Sequence, residues 1–150
     1  MYGDAALSYA HFLSIFFLAW FLGRQWLLLR AGDAAVEVEL LARTDLGYFI
    51  SAGAVLLTGL GRLFLGAKTL AFYAHNPAFH ALIGLFVLVG LVSILPTMSY
   101  QRWRRYRRED PRYEVPGRER RWMRALVATE LTGLAIIALA AVLMARGIGS

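Results

Sequence analysis

The sequence predicts an all-α fold, a four-transmembrane-helix up-and-down bundle, and three observations carry that prediction. Of the 150 residues, 59% are hydrophobic and the mean hydropathy is +0.54, well above the apolar share of an ordinary soluble domain. The apolar residues fall into four blocks, 5–29, 46–65, 78–100 and 123–145. Each is close to the roughly 20 residues that cross a hydrocarbon core about 30 Å thick. Arginine, finally, is gathered between the third and fourth blocks. One integral-membrane domain accounts for residues 1–150, with too little left over for a soluble module. Cysteine is absent, which excludes disulfides, thiolate metal sites and cysteine nucleophiles.

The net charge of +6 takes its meaning from where the cations lie. Arg102, Arg104, Arg105, Arg107, Arg108, Arg112, Arg118, Arg120, Arg121 and Arg124 sit in or beside the third connection. The positive-inside rule makes that connection cytoplasmic. Both termini are then outside, the first connection is inside and the second is outside. Arg24, Arg30 and Arg43 agree, while Arg62 and Lys68 run against the rule. The arginine run is expected to set topology and to meet anionic lipid head groups. Nucleic-acid binding would also need a groove-reading module, and no such motif is present.

The first span has no Lys or Arg before it, unlike a secretory signal, so it is expected to be retained. Ser8, His11 and Ser14 share one helix face with Ile15 and Leu18. His11 lies about 9 Å below the outer end at the helical rise. Trp26 and Arg24 mark the inner interface. The first connection, residues 31–45, reads as a short amphipathic helix capped by Asp33, with Val36, Leu40 and Leu41 facing the membrane or the bundle. Its acidic residues are placed to pair with the arginines of the third connection.

The second span is rich in small residues: Ser51, Ala52, Gly53, Ala54, Thr58, Gly59 and Gly61. Such residues let backbones approach closely in lipid, within the bundle or in a homodimer. Ser51, Val55, Thr58 and Arg62 form a polar stripe by three- and four-residue steps. Arg62 either snorkels to lipid phosphate or points inward as the partner of an anion.

Asn76 followed by Pro77 reads as an N-cap and a proline at the first helical position, so the third span begins there. His80 then lies about one turn inside an apolar helix, where an ionisable side chain is costly and marks a functional candidate. Gly84 follows one turn later. Pro96 near the inner end loosens the last turn, with Ser93 and Thr97 available to the backbone groups it disturbs. Pro111 and Pro116 interrupt the basic connection. In the fourth span, Glu130 is expected to pair with an arginine such as Arg24 or to snorkel inward, with proton relay as the alternative.

Because the first and third spans run in the same direction, His11 and His80 are expected at similar depth in the outer half, with Arg62 at the same level and Lys68 near it. Neutral imidazoles bind iron, copper or zinc. Two of them on adjacent helices can ligate a haem b within a bundle, with Arg62 and Lys68 at its propionates and Gly84 leaving room for the macrocycle. The alternative is that both histidines only hydrogen-bond between helices. No His-Glu-x-x-His run or serine triad supports hydrolysis.

The runs Ala67-Lys-Thr-Leu-Ala-Phe-Tyr-Ala-His-Asn-Pro-Ala-Phe-His80, Thr58-Gly-Leu-Gly-Arg62, Tyr9-Ala-His11, Leu-Leu-Leu-Arg30 and Met144-Ala-Arg-Gly147 resemble a bacterial family of predicted four-span membrane proteins of unknown function. That resemblance covers nearly the whole chain and implies a small, multi-pass protein of the bacterial inner membrane. At the level of pattern the chain is also similar to the four-span protoporphyrinogen oxidases and the copper-resistance D membrane proteins. The former likeness implies haem binding by His11 and His80 and a redox or porphyrin-related role. Where that family has lysine after His-Ala, however, this sequence has Leu82. The copper likeness implies transport through the same histidines with methionine support, but Met1, Met98, Met123 and Met144 are distant from them in sequence.

Overall fold

The computed structural model describes residues 2–30, 37–65 and 76–146. Lys68 and residues 31–36, including the expected cap Asp33, lie outside the described residues. Within them the chain forms four long helices and no strand: α1 (Tyr2–Arg30), α2 (Val38–Leu65), α3 (Pro77–Glu109) and α4 (Gly117–Ala145). Each is long and apolar enough to cross a membrane.

α2 begins earlier than the apolar block implies. Val38, Leu41, Ala42 and Asp45 are buried and recur at three- and four-residue steps, so one face is already committed to the bundle. No proline or glycine interrupts residues 38–46. The described part of the expected amphipathic helix is therefore the first two turns of α2.

α3 starts at Pro77 as expected. The carbonyl of Asn76 accepts from the backbone N–H groups of Phe79 at 3.1 Å and His80 at 3.4 Å. The helix continues past residue 100 because nothing stops it before Asp110-Pro111, where the residue ahead of proline disfavours helix. The Arg112 N–H then bonds Asp110 Oδ1 at 2.9 Å, closing an Asx turn. Pro96 is fully buried inside α3. Its neighbours bond back along the helix, Ser93 Oγ to the Gly90 carbonyl at 2.7 Å and Thr97 Oγ1 to the Ser93 carbonyl at 3.0 Å.

Each helix packs against two neighbours: α1 on α2 and α4, α3 on α2 and α4. His11, early in α1, meets Thr58, late in α2, and Gln25, late in α1, meets Asp45, early in α2. Consecutive helices are thus antiparallel, and the bundle closes as a four-membered up-and-down ring. Glycines of α2 admit α1 side chains: a Cβ on Gly59 would lie 3.3 Å from the His11 ring, and one on Gly61 3.2 Å from Leu7. These small residues serve packing inside the bundle.

The core is concentrated at the arginine-rich end, where Leu22, Leu29, Leu41, Tyr100, Trp103 and Val127 are all but inaccessible. The outer faces carry Phe12, Phe16, Trp20, Leu57, Leu88 and Leu91, all exposed. Such a continuous apolar surface matches lipid rather than water. At the same end, Arg104 grips Glu39 with two bonds of 2.7 and 2.9 Å, and Glu119 Oε2 accepts from Arg102 at 2.7 Å and Trp103 Nε1 at 2.9 Å. The expected pairing between the first and third connections thus occurs through Glu39. Asp45 instead turns into the bundle.

Candidate functional site

Away from the arginine-rich end, the four helices part around an apolar cavity of about 220 Å³. α1 contributes His11 and Ile15, and α2 contributes Val55, Gly59 and Arg62 among others. α3 supplies Phe79, Leu82, Ile83 and Phe86, and α4 supplies Leu134, Ile137 and Met144 among others. Among the described residues, His11 and Arg62 are its only ionisable lining groups.

His11 is half-buried, with Nδ1 2.9 Å from Thr58 Oγ1. Thr58 spends its own proton on the Ala54 carbonyl at 2.6 Å. Because Thr58 already donates to Ala54, a neutral His11 holds its proton on Nδ1 toward Thr58, and the Val55 backbone also lies within hydrogen-bonding reach of the ring. The ring is thus fixed from α2, which is how a protein orients an imidazole for a ligand. Arg62 lies within electrostatic reach of His11 and places its guanidinium 5.9 Å from the Phe12 ring centre. Arg62 thus borders both the cavity and the exposed Phe12.

His80 reaches the expected level but not the expected face. Phe79, Leu82, Ile83 and Phe86 line the cavity at helical three- and four-residue steps, which turns His80 and Gly84, together with Val87 and Leu91, to the exposed side of α3. The His80 ring packs edge-on against Phe79, with centroids 5.9 Å apart. Gly84 has open space beside it, but outside the cavity lining. The structure thus brings together His11 and Arg62, and sets His80 and Gly84 on another surface. Met144 lines the same cavity as His11, although it is remote in sequence.

A second polar group lies deeper, toward the arginine-rich end, and sequence reasoning missed most of it. Asp45 Oδ1 accepts from Gln25 Nε2 at 3.3 Å and from Thr97 Oγ1 at 3.2 Å, and the Tyr100 hydroxyl donates to Gln25 Oε1 at 3.2 Å. Glu130, 2% exposed, faces Tyr48, which in turn faces Ser93. Arg24 is exposed on α1, and among the described residues no ion pair reaches Glu130 or Asp45. The expected Glu130–Arg24 pairing does not form, because the two side chains lie on opposite sides of the bundle wall. The sequence signal for this group was the spacing of Val38, Leu41, Asp45 and Tyr48, which puts Asp45 on the buried face of α2.

Outside the spans, Tyr113 packs edge-on against Tyr106 with ring centroids 5.2 Å apart. Burial, and next the Glu119 carboxylate, push its phenol above the usual value. Among the described residues no cluster of three or more His, Cys, Asp or Glu side chains is placed to hold a metal ion.

A family model described as "Predicted membrane protein (DUF2214)" matches residues 3–149. No curated protein and no solved structure matches the chain. With four helices able to span a membrane and a match over nearly its whole length, the chain belongs to the DUF2214 family of predicted membrane proteins.

Proposed function

We propose that this protein binds a membrane-dissolved amphiphile of the porphyrin class, haem b being the member expected from the sequence, at the His11–Arg62 cavity. The observation that carries the reading is the oriented imidazole: His11 is tied to α2 through Nδ1 and Thr58, beside a guanidinium and apolar walls from all four helices. The donor set fits a flat apolar body with an acidic edge. His11 would hold the centre of such a ligand, and Arg62 would take a carboxylate by charge-assisted hydrogen bonds. The 220 Å³ volume is below the roughly 300–1,000 Å³ of enclosed ligand pockets, so much of the ligand would lie between helices against lipid. A bound haem would supply electron-transfer chemistry. His80 has no part in this single-histidine arrangement. Anionic lipid at the arginine-rich turn and residence in a bacterial inner membrane accompany the same reading.

A second reading has its own support. The 2.9 Å bond between His11 and Thr58 is also what an interhelical tie looks like, and it makes the protein a non-catalytic or transport bundle. The visible spectrum of protein purified from haem-supplied cells separates the two. A Soret band lost in His11→Ala and kept in His80→Ala supports the porphyrin site. A colourless preparation that also fails to take up added haemin favours the tie, and copper in the same sample, lost with His11→Ala, favours transport.

A further inference from the structure

The second polar group is independent of the outer cavity and lies in the half of the bundle nearer the arginine-rich end. It holds two carboxylates, Asp45 of α2 and Glu130 of α4, 3% and 2% exposed respectively. They are within electrostatic reach of each other. Among the described residues, the titratable groups facing them are Tyr48 of α2 and Tyr100 of α3, while α1 offers the neutral amide of Gln25. Neither carboxylate has a lysine, arginine or histidine in ion-pair contact among the described residues.

Asp45 stands one turn from Tyr48 on the buried face of α2, and Tyr48 faces Glu130, so the two carboxyls belong to one polar layer. Among the described residues no cation offsets them, and ionising both in a membrane interior is costly, so the proton on one depends on the charge of the other. The hydrogen bonds divide the roles. Asp45 Oδ1 accepts from Gln25 Nε2 and lies 3.2 Å from the Thr97 hydroxyl, whose one proton is shared with the Ser93 carbonyl, whereas Glu130 Oε1 is buried with no hydrogen-bond partner. Glu130 also lines a groove of about 430 Å³ between α3 and α4, with Val89, Val92, Thr129 and Gly133. One side of Glu130 therefore meets the polar interior, and the other meets the lipid-facing seam.

We propose that Asp45 and Glu130 form a proton-binding carboxylate pair, with Glu130 as the member reached from the membrane through the α3–α4 groove. Atoms balance simply: a hydronium ion from the water at the membrane surface gives up one proton, its O–H bond breaking as the carboxyl O–H bond forms, and water is left behind. Tyr48 is the positioning residue that fixes the Glu130 carboxyl from the interior.

The test is labelling by a lipid-soluble carbodiimide, which reacts with a protonated carboxyl in apolar surroundings. It is run on full-length protein in liposomes across a pH series, with the adduct located by mass spectrometry. The expected result is an adduct on Glu130 that falls at least tenfold as pH rises, is unaffected by sodium or potassium at fixed pH, and disappears in Glu130→Gln. Asp45→Asn is expected to move the pH midpoint of Glu130 labelling by about one unit, because the coupled neighbour is gone. Protection by sodium or potassium at constant pH overturns the proton in favour of a metal cation. Absence of the adduct at every pH overturns the site, and an unchanged midpoint in a folded Asp45→Asn overturns the pair.

Discussion

Gly133 of α4 lies so close to Val89 of α3 that a Cβ on the glycine would stand 2.6 Å from Val89 Cγ2. No real Cβ sits that near another carbon, and valine in a helix has almost one rotamer, so its methyl cannot swing aside. The backbones of α3 and α4 are held together by this absence of a side chain.

Gly133→Ala is therefore expected to cost about 1–3 kcal/mol through overpacking, and Val89→Ala in the same chain to recover most of it. Gly53, with nothing within 4 Å of its added Cβ, is the control. Gly53→Ala is expected to leave stability unchanged or raise it by up to about 1 kcal/mol. Thermal melts of the detergent-solubilised variants check this, and equal losses at both positions would contradict the packing.

Thr58→Val removes the acceptor for His11 Nδ1 while keeping the shape of the side chain. Buried interhelical hydrogen bonds in membranes average about 0.6 kcal/mol, so only a small drop in unfolding free energy is expected. Ligand affinity should fall more than stability does, because the imidazole loses its fixed tautomer. Denaturation and haemin titration on one preparation compare the two losses.

Orientation follows from charge. The turn at Arg112 is expected on the cytoplasmic side and Gly3 on the opposite side. Since the chain has no cysteine, Gly3→Cys and Arg112→Cys each give a single thiol. In intact right-side-out cells a membrane-impermeant maleimide should label the first and reach the second only after permeabilisation. Labelling of Arg112→Cys in sealed cells would invert the topology.

The Tyr113 phenol, raised by burial and by Glu119, makes a pH prediction. Below about pH 10, folded and unfolded chains both keep its proton. Above that the unfolded chain ionises first, so this residue's stabilising contribution is lost as pH climbs through the raised folded value. Tyr113→Phe should flatten the alkaline end of the stability profile without changing it at neutral pH, as followed by melting temperature against pH.

The number of spans, the start of α3 at Asn76-Pro77 and the pairing of the first and third connections were legible because each rests on composition, backbone chemistry or charge. The common level of His11, Arg62 and the start of α3 followed from helix direction alone. The azimuth of His80 did not. In a helix that is apolar on every side, the lipid face and the bundle face carry the same residue types, so periodicity says nothing about which way position 80 turns. The inward stripe of Phe79, Leu82, Ile83 and Phe86 is visible only against its neighbours. Asp45 was obscured for a different reason: it stands at the edge of an apolar block, where a carboxylate resembles a surface residue until the helix is seen to begin seven residues earlier at Val38.

The tight core lies at one extremity of the bundle and the cavity toward the other. A small splay of the four rods about the firm extremity would enlarge the mouth near His11 while leaving the Trp103–Glu119 and Arg104–Glu39 fastenings intact. Amide exchange should therefore be graded along each rod, slowest around Tyr100 and fastest near Thr58. A guest larger than the resting space could then enter sideways from the bilayer without unfastening the fold.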